Sequence, residues 1–261
     1  MTQLRLKPTM EAPMLIEIGQ GLFYAEGEVR FLGAHLMTRM SVVVLPDGGV
    51  AVISPLLPSP PLIGALRALG PVRHLMSPNK IHNQGLPGMA AAFPEAQIWA
   101  SPGLIERRPG LAYAGTLGDR PRLDWAPVMD QLLTRGNLFF SEVVFFHRAS
   151  RTLIVADLVE NITEATIGGG FARAAARAGH ILGRPLPSPE FRMYTDDAEA
   201  AAASLDAIAA WPFERILMAH GEIITETAQE TFAGLRDFLV EEVRRRPAWR
   251  RSLYRHLAAR Q

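Results

Sequence analysis

Apolar residues along the chain fall into short runs broken by turns, and into longer stretches with helical spacing. Ile16-Glu17-Ile18 and Leu22-Phe23-Tyr24 read as opening strands. Ser41–Leu45 is a buried run closed by Pro46-Asp47-Gly48-Gly49, and Val50–Ile53 answers it, which predicts a hairpin. Pro60–Leu69 has helical spacing and stops at Gly70. Val72–Met76 then reads as a strand, Leu86–Phe93 as a helix and Gln97–Ala100 as a strand. In the second half, Leu132-Leu133, Leu138-Phe139-Phe140, Val143–Phe146, Leu153–Asp157 and Arg215–Ala219 are strand candidates. Asp197–Ala210 and Thr225–Arg245 are helices, the first with Asp196 or Asp197 as its cap. Ile167–Arg184 is rich in Gly and Ala and predicts a small helical insertion. Strands alternate with helices and no Ser/Gly linker interrupts them. The pattern is that of a layered α/β domain, with sheets inside and helices outside.

Composition narrows the chemistry. At 261 residues, of which 48% are hydrophobic, the chain can bury a large core. Lys+Arg 27 against Asp+Glu 26 leaves a net charge of +1, which argues against nucleic-acid binding through overall charge. With no cysteine, disulfides, thiolate metal sites and a cysteine nucleophile are all excluded. Any metal site must use His, Asp and Glu. The N-terminal stretch does not read as a secretory signal, and no run is long enough to span a membrane. A cytoplasmic protein is expected. Lys7 and Lys80 are the only lysines, so the many arginines reflect coding bias before function.

Polar residues stand just past three apolar strands. His82 follows Val72–Met76, Asp157 closes Leu153–Ala156, and His220 follows Ile216–Ala219. Strand ends in α/β proteins are rigid platforms beside open loops. Two imidazoles and a carboxylate make a sensible ligand set for one divalent cation, zinc among the candidates. Each histidine taken singly reads as a surface or satisfied core residue, and it is the joint placement that brings the metal reading level with that one.

In these pieces the chain resembles the metallo-β-lactamase superfamily over roughly residues 14–240. The resemblance rests on His82-Asn-Gln-Gly85-Leu-Pro87 before a helix and Phe93-Pro94, on Ser150–Asp157, and on Ile216-Leu-Met-Ala-His220-Gly221. It implies a single domain over 1–261 with a four-layer αββα sandwich. A helical insertion falls at about 162–195 and a basic C-terminal helix at about 240–261. The departures are large. The family's His-x-His-x-Asp-His motif falls on Ser77, Asn79, Ile81 and His82, its middle His near Leu138, and its aspartate after the hairpin near Ser54. A standard dinuclear site therefore cannot form. The surviving ligands, His82, Asp157 and His220, imply one metal, or an empty hydrogen-bonded site.

Other residues give weaker signals. Lys80 can replace a metal's charge or hold an anionic substrate, and with Asp157 it is the catalytic candidate. Asn79 and Asn83 read as ligand-orienting or turn residues. Glu160 and Glu222 could complete a ligand set or act as a base, but neither has a distinguishing spacing and their loop placement reads as solvent-facing. His35, His74, His147, His180 and His256 read as structural. Gly168-Gly169-Gly170 lacks the Lys-Ser/Thr of a phosphate loop, and no Gly-x-Ser-x-Gly elbow is present. The Arg-rich tail reads as a solvated amphipathic helix. Two functions stay open: a mononuclear metal-dependent hydrolase of an ester, lactone, thioester or phosphoester, or a non-catalytic binding module with a degenerate site. The expected partner is a small-molecule substrate. Neither nucleic acid nor membrane is expected, and a homo-oligomer is left open.

Overall fold

The computed structural model describes residues 14–31, 34–139, 141–167, 174, 177 and 182–258. A seven-stranded sheet runs β1 (Ile16–Gly19), β2 (Leu22–Phe31), β3 (Ala34–Val44), β4 (Val50–Ile53), β5 (Val72–Met76), β6 (Gln97–Ala100), β7 (Tyr113–Thr116), in spatial as in chain order. The first pairings are antiparallel and those from β4 to β7 parallel. The second sheet holds β8 (Met129–Leu133), β9 (Val143–His147), β10 (Thr152–Ile154) and β11 (Arg215–Leu217) in the order β11-β10-β9-β8. Helices α1 (Pro60–Leu69), α2 (Leu86–Ala92) and α3 (Leu104–Arg107) follow strands of the first sheet. Helices α4 (Pro189–Tyr194), α5 (Ala198–Ala209), α6 (Ala228–Arg244) and α7 (Ala248–Ala258) complete the second half.

Alternation along the strands builds the layers, because successive side chains point to opposite faces. Val42, Val50, Val52 and Leu75 pack outward with Leu62 and Leu66 of α1 and Met89 of α2. Their neighbours Val43, Ala51, Ile53 and Met76 face inward and meet Val143, Phe145, Ile154 and Leu217 of the second sheet. Val144 and Phe146 then pack outward with Leu205, Ile208, Phe232 and Leu239 of α5 and α6. Two sheets sealed by helices on both outer faces give the four-layer αββα sandwich. Ser59 caps α1 by accepting from the Leu62 N–H, and Asp197 caps α5 by accepting from Glu199 and Ala200.

The differences from the sequence reading are local. Leu138-Phe139-Phe140 does not form a strand. Asn137 bridges to Thr195 and turns the chain, its side chain accepting from the Phe139 N–H, while Phe140 lies outside the described residues. The β2–β3 hairpin is longer than the pattern predicts because Glu26-Gly27-Glu28 and Arg39 interrupt its apolar run. Of the expected insertion, Pro189–Tyr194 is helical, and most of 168–181 lies outside the described residues, including Gly168-Gly169-Gly170 and His180. The His35 side chain lies outside them too. Among the described residues, no helix is long and apolar enough to cross a membrane.

Candidate metal centre and its cavity

The three strand-end residues converge. One ligand atom each from His82, Asp157 and His220 lies within 4.8 Å of the others. His82 Nε2 stands 3.2 Å from Asp157 Oδ2, and the two imidazole centroids are 5.1 Å apart. All three side chains are largely buried.

Each ring is oriented from behind. His220 Nδ1 lies 2.8 Å from the Met37 carbonyl. A carbonyl only accepts, so Nδ1 carries the proton and Nε2 presents its lone pair toward the other two residues. Burial, reinforced by neighbouring His82, pushes the His220 pKa down to about 4, so the ring is neutral near pH 7. Arg39, itself buried, donates to the Met218 carbonyl at 2.7 Å and to the Gly221 carbonyl at 3.0 Å, clasping the turn that carries His220. Gly221 is required here: its φ is 94°, and a Cβ would come within 2.1 Å of the Asn161 carbonyl. His82 Nδ1 lies 2.7 Å from Ser54 Oγ. Ser54 sits in the left-handed region at φ 56°, a strained position for a residue with a Cβ. Burial opposes charge on His82, but the Asp157 carboxylate outweighs it and lifts the His82 pKa above its ordinary value.

Asn79 ties the centre together. Its amide nitrogen donates to Asp157 Oδ2 at 2.6 Å and to Glu142 Oε2 at 3.0 Å, while its oxygen accepts from the Ile81 and His82 N–H groups at 3.0 Å each. Glu142 is fully buried and accepts from the backbone N–H groups of Ala156 at 2.8 Å and Asp157 at 2.7 Å. Burial and then the adjacent Asp157 raise its pKa to about 7, against the pull of those N–H groups. Burial also works against the Asp157 carboxylate, yet His82, His220 and the Asn79 bond together hold its pKa below the usual range.

The cluster opens into a cavity of about 470 Å³. Leu56, Ile81, Phe139 and Tyr194 supply apolar wall, Glu160 and Glu190 stand on the wall with Asp157, and Arg107 and Arg108 line another part. Gly85 lets the loop after His82 pack tightly, since a Cβ there would meet the Leu56 carbonyl at 2.1 Å.

No protein-family model matches the chain, and no curated protein is significantly similar in sequence. Solved structures are similar in fold. A metallo-β-lactamase from Pontibacter korlensis aligns over 87% of this chain and 99% of its own, at 13% identity and a TM-score of 0.60. The metallo-β-lactamase FIM-1 from Pseudomonas aeruginosa, in its mono-zinc form, aligns over 89% and 98%, at 12% identity and 0.61. A flavodiiron core from Synechocystis aligns over 88% of this chain and 61% of its own, at 12% identity and 0.62. The chain has the metallo-β-lactamase fold.

Within that metallo-β-lactamase fold, His82, Asp157 and His220 stand together, as the strand ends suggest. Lys80 does not join them. Its ammonium sits 3.9 Å over the Phe139 ring, and it is not among the residues lining the cavity. Glu160, expected to face solvent, lines the cavity instead; burial, then Asp157 and Glu190, raise its pKa well above the usual range. Glu222 is exposed and accepts from Thr163. His74 accepts from the Trp99 indole at 3.1 Å and His147 bonds Ser150, both within the fold. Sequence reasoning did not single out Glu142, Arg39, Arg107 or Arg108. A lone carboxylate in the Ser141–Glu142 step into β9 was the one signal for Glu142.

Proposed function

We propose that the protein is a metal-dependent hydrolase with one divalent ion held by His82, Asp157 and His220. The observation that carries this reading is the convergence of three donors with the His220 Nε2 lone pair turned inward by Met37. The donor set suits zinc: two imidazoles and one carboxylate, without thiolate, the His82 ring giving up its proton when the ion binds. A divalent ion there would supply Lewis acidity and a water of lowered pKa, the chemistry needed to open an ester, lactone, thioester or phosphoester. The chain's own part is orientation. Ser54 and Met37 aim the imidazoles, Asn79 fixes the carboxylate, and the apolar wall excludes bulk water.

A single ion is favoured over two. On the side of the centre where the resemblance would place further ligands, Asn79 and Glu142 are bonded to each other and to the backbone. FIM-1 itself is described in a mono-zinc form.

The second reading, a binding module with a degenerate site, draws on the His82–Asp157 contact at 3.2 Å, an ion pair complete without metal. Elemental analysis and zinc titration separate the two. We expect one equivalent of zinc per chain, lost in His220→Ala while the metal-free variant still folds and melts cooperatively. Protein that takes up no ion after reconstitution, and hydrolyses none of the four bond classes, would leave the module reading standing.

A further inference from the structure

One wall of the cavity carries two guanidinium groups that form no ion pair among the described residues. Arg107 and Arg108 line it from the end of α3. Arg108 Nε donates to Asn83 Oδ1 at 2.7 Å, and Asn83 Nδ2 donates to the Lys80 carbonyl at 2.7 Å. The guanidinium is thereby fixed against the loop that carries His82. The Lys80 ammonium lies over Phe139, and the Arg107 guanidinium carbon is 6.0 Å from the same ring. Among the described residues, none of these three cations has a carboxylate within ion-pair distance. Elsewhere Arg135, Arg148, Arg236 and Arg244 are each paired with an acid. Burial, and then Arg107, push the Lys80 pKa down, while Glu106 pulls the other way.

Of the acids that line the cavity, Glu28 already has a partner. Burial, together with Asp157, raises the pKa of Glu160 and of Glu190. Asp157 is shared between His82 and Asn79.

We infer that Arg107 and Arg108, backed by Lys80, anchor an anionic group of the substrate, so that the substrate is an acidic compound with its reactive bond at the His82–Asp157–His220 centre. A guanidinium fork suits a carboxylate or phosphate because it offers parallel N–H donors. The apolar side chains of Phe139 and Leu56 line the same cavity and suit a short carbon chain. This assignment rests on the hydrolase reading for the identity of the far end, but the anchor can be tested without metal.

The test uses glutarate and its dimethyl ester as probes, with binding followed by ligand-observed NMR on chelator-treated protein. Glutarate should bind at least about tenfold more tightly than the neutral diester. The double variant Arg107→Gln/Arg108→Gln should erase that preference and leave the diester's binding unchanged. Should the double variant misfold, Arg107→Glu alters an exposed side chain with no hydrogen bond to lose, and should weaken glutarate binding similarly. Equal binding of both probes to chelator-treated wild type, or a preference surviving in the variants, overturns the anchor. A preference that exists only after zinc is added also overturns it, since the ion would then be holding the carboxylate, while leaving the metal reading intact. A preference in protein that takes up no zinc would support the anchor and sink the hydrolase reading.

Discussion

The two sides of the centre are built from similar residue types to opposite effect. On one side Asn79 and Glu142 spend nearly every polar atom on each other, on Asp157 and on backbone N–H groups, in a place without solvent. On the other, His82, Asp157 and His220 are braced from behind but leave donor atoms facing a cavity. A polar group whose bonds are all made within the protein holds structure, whereas one braced at the back and open at the front is poised for a ligand. The chemistry of this protein is therefore expected on one side only.

The largest effect should come from the closed side and should appear in stability. Glu142→Ala leaves the Ala156 and Asp157 N–H groups and one N–H of the Asn79 amide without an acceptor in a buried place. At about 1–3 kcal/mol per orphaned group, a loss of roughly 4 kcal/mol is expected in urea denaturation. His220→Ala leaves only the Met37 carbonyl short of a donor, a loss of about 1–2 kcal/mol. If the two variants melt alike, the distinction between the sides is wrong.

Metal affinity should rank the same residues in reverse. His82→Ala and His220→Ala each remove a donor and should weaken zinc by more than about 100-fold, beyond the usual effect of residues behind the ligands. Asn79→Ala, which only frees Asp157 to move, should weaken it by about tenfold. Competition against a chromophoric chelator reads all three. A second equivalent of zinc in the wild type would show that the Asn79–Glu142 side is not closed.

That contrast also explains what was readable from sequence. His82, Asp157 and His220 were legible because each follows an apolar run that had to be a strand, and strand ends converge in a layered α/β fold. The layered sheets were legible because the runs Val42–Leu45 and Val50–Ile53 are apolar on both faces, as strands covered on both sides must be, and the four-layer order came from the family resemblance. Glu142 was not legible. Its partners are Asn79, 63 positions earlier, and the N–H groups of Ala156 and Asp157, 14 and 15 positions later, and burial of a lone carboxylate leaves no periodic trace. Leu138-Phe139-Phe140 misled because an apolar run suits a strand as well as a cavity wall, and it is the wall that Phe139 joins. Arg107 and Arg108 were discounted with the other arginines, and only their place beside the cavity sets them apart.

Arg39 sharpens the comparison from the open side. It sits behind His220 and donates to two carbonyls of the turn, at Met218 and Gly221, while Glu26 takes its other face. Arg39→Met keeps the buried stem but removes those donors. Stability should fall by about 2 kcal/mol, and zinc affinity by up to roughly tenfold as the His220 ring loses its fixed approach. An unchanged affinity would mean that the Met37 carbonyl alone orients the ring.

The smallest expected effect separates strain from orientation at one residue. Ser54 holds a left-handed backbone and bonds His82 through its hydroxyl. Ser54→Ala keeps the strained backbone and loses the bond, so the fold should lose about 1 kcal/mol. Ser54→Gly loses the same bond but relieves a left-handed strain worth about 1–2 kcal/mol, partly offset by the greater freedom of glycine in the unfolded chain. The glycine variant should therefore be about as stable as wild type and more stable than the alanine variant. Both should bind zinc less tightly by a similar factor, up to about tenfold, because both leave the His82 ring free to turn. If the glycine variant melts below the alanine variant, the backbone at Ser54 is not strained. If neither loses affinity, the hydroxyl does not set the His82 ring, and the strain at Ser54 serves the turn into Pro55 and not the centre.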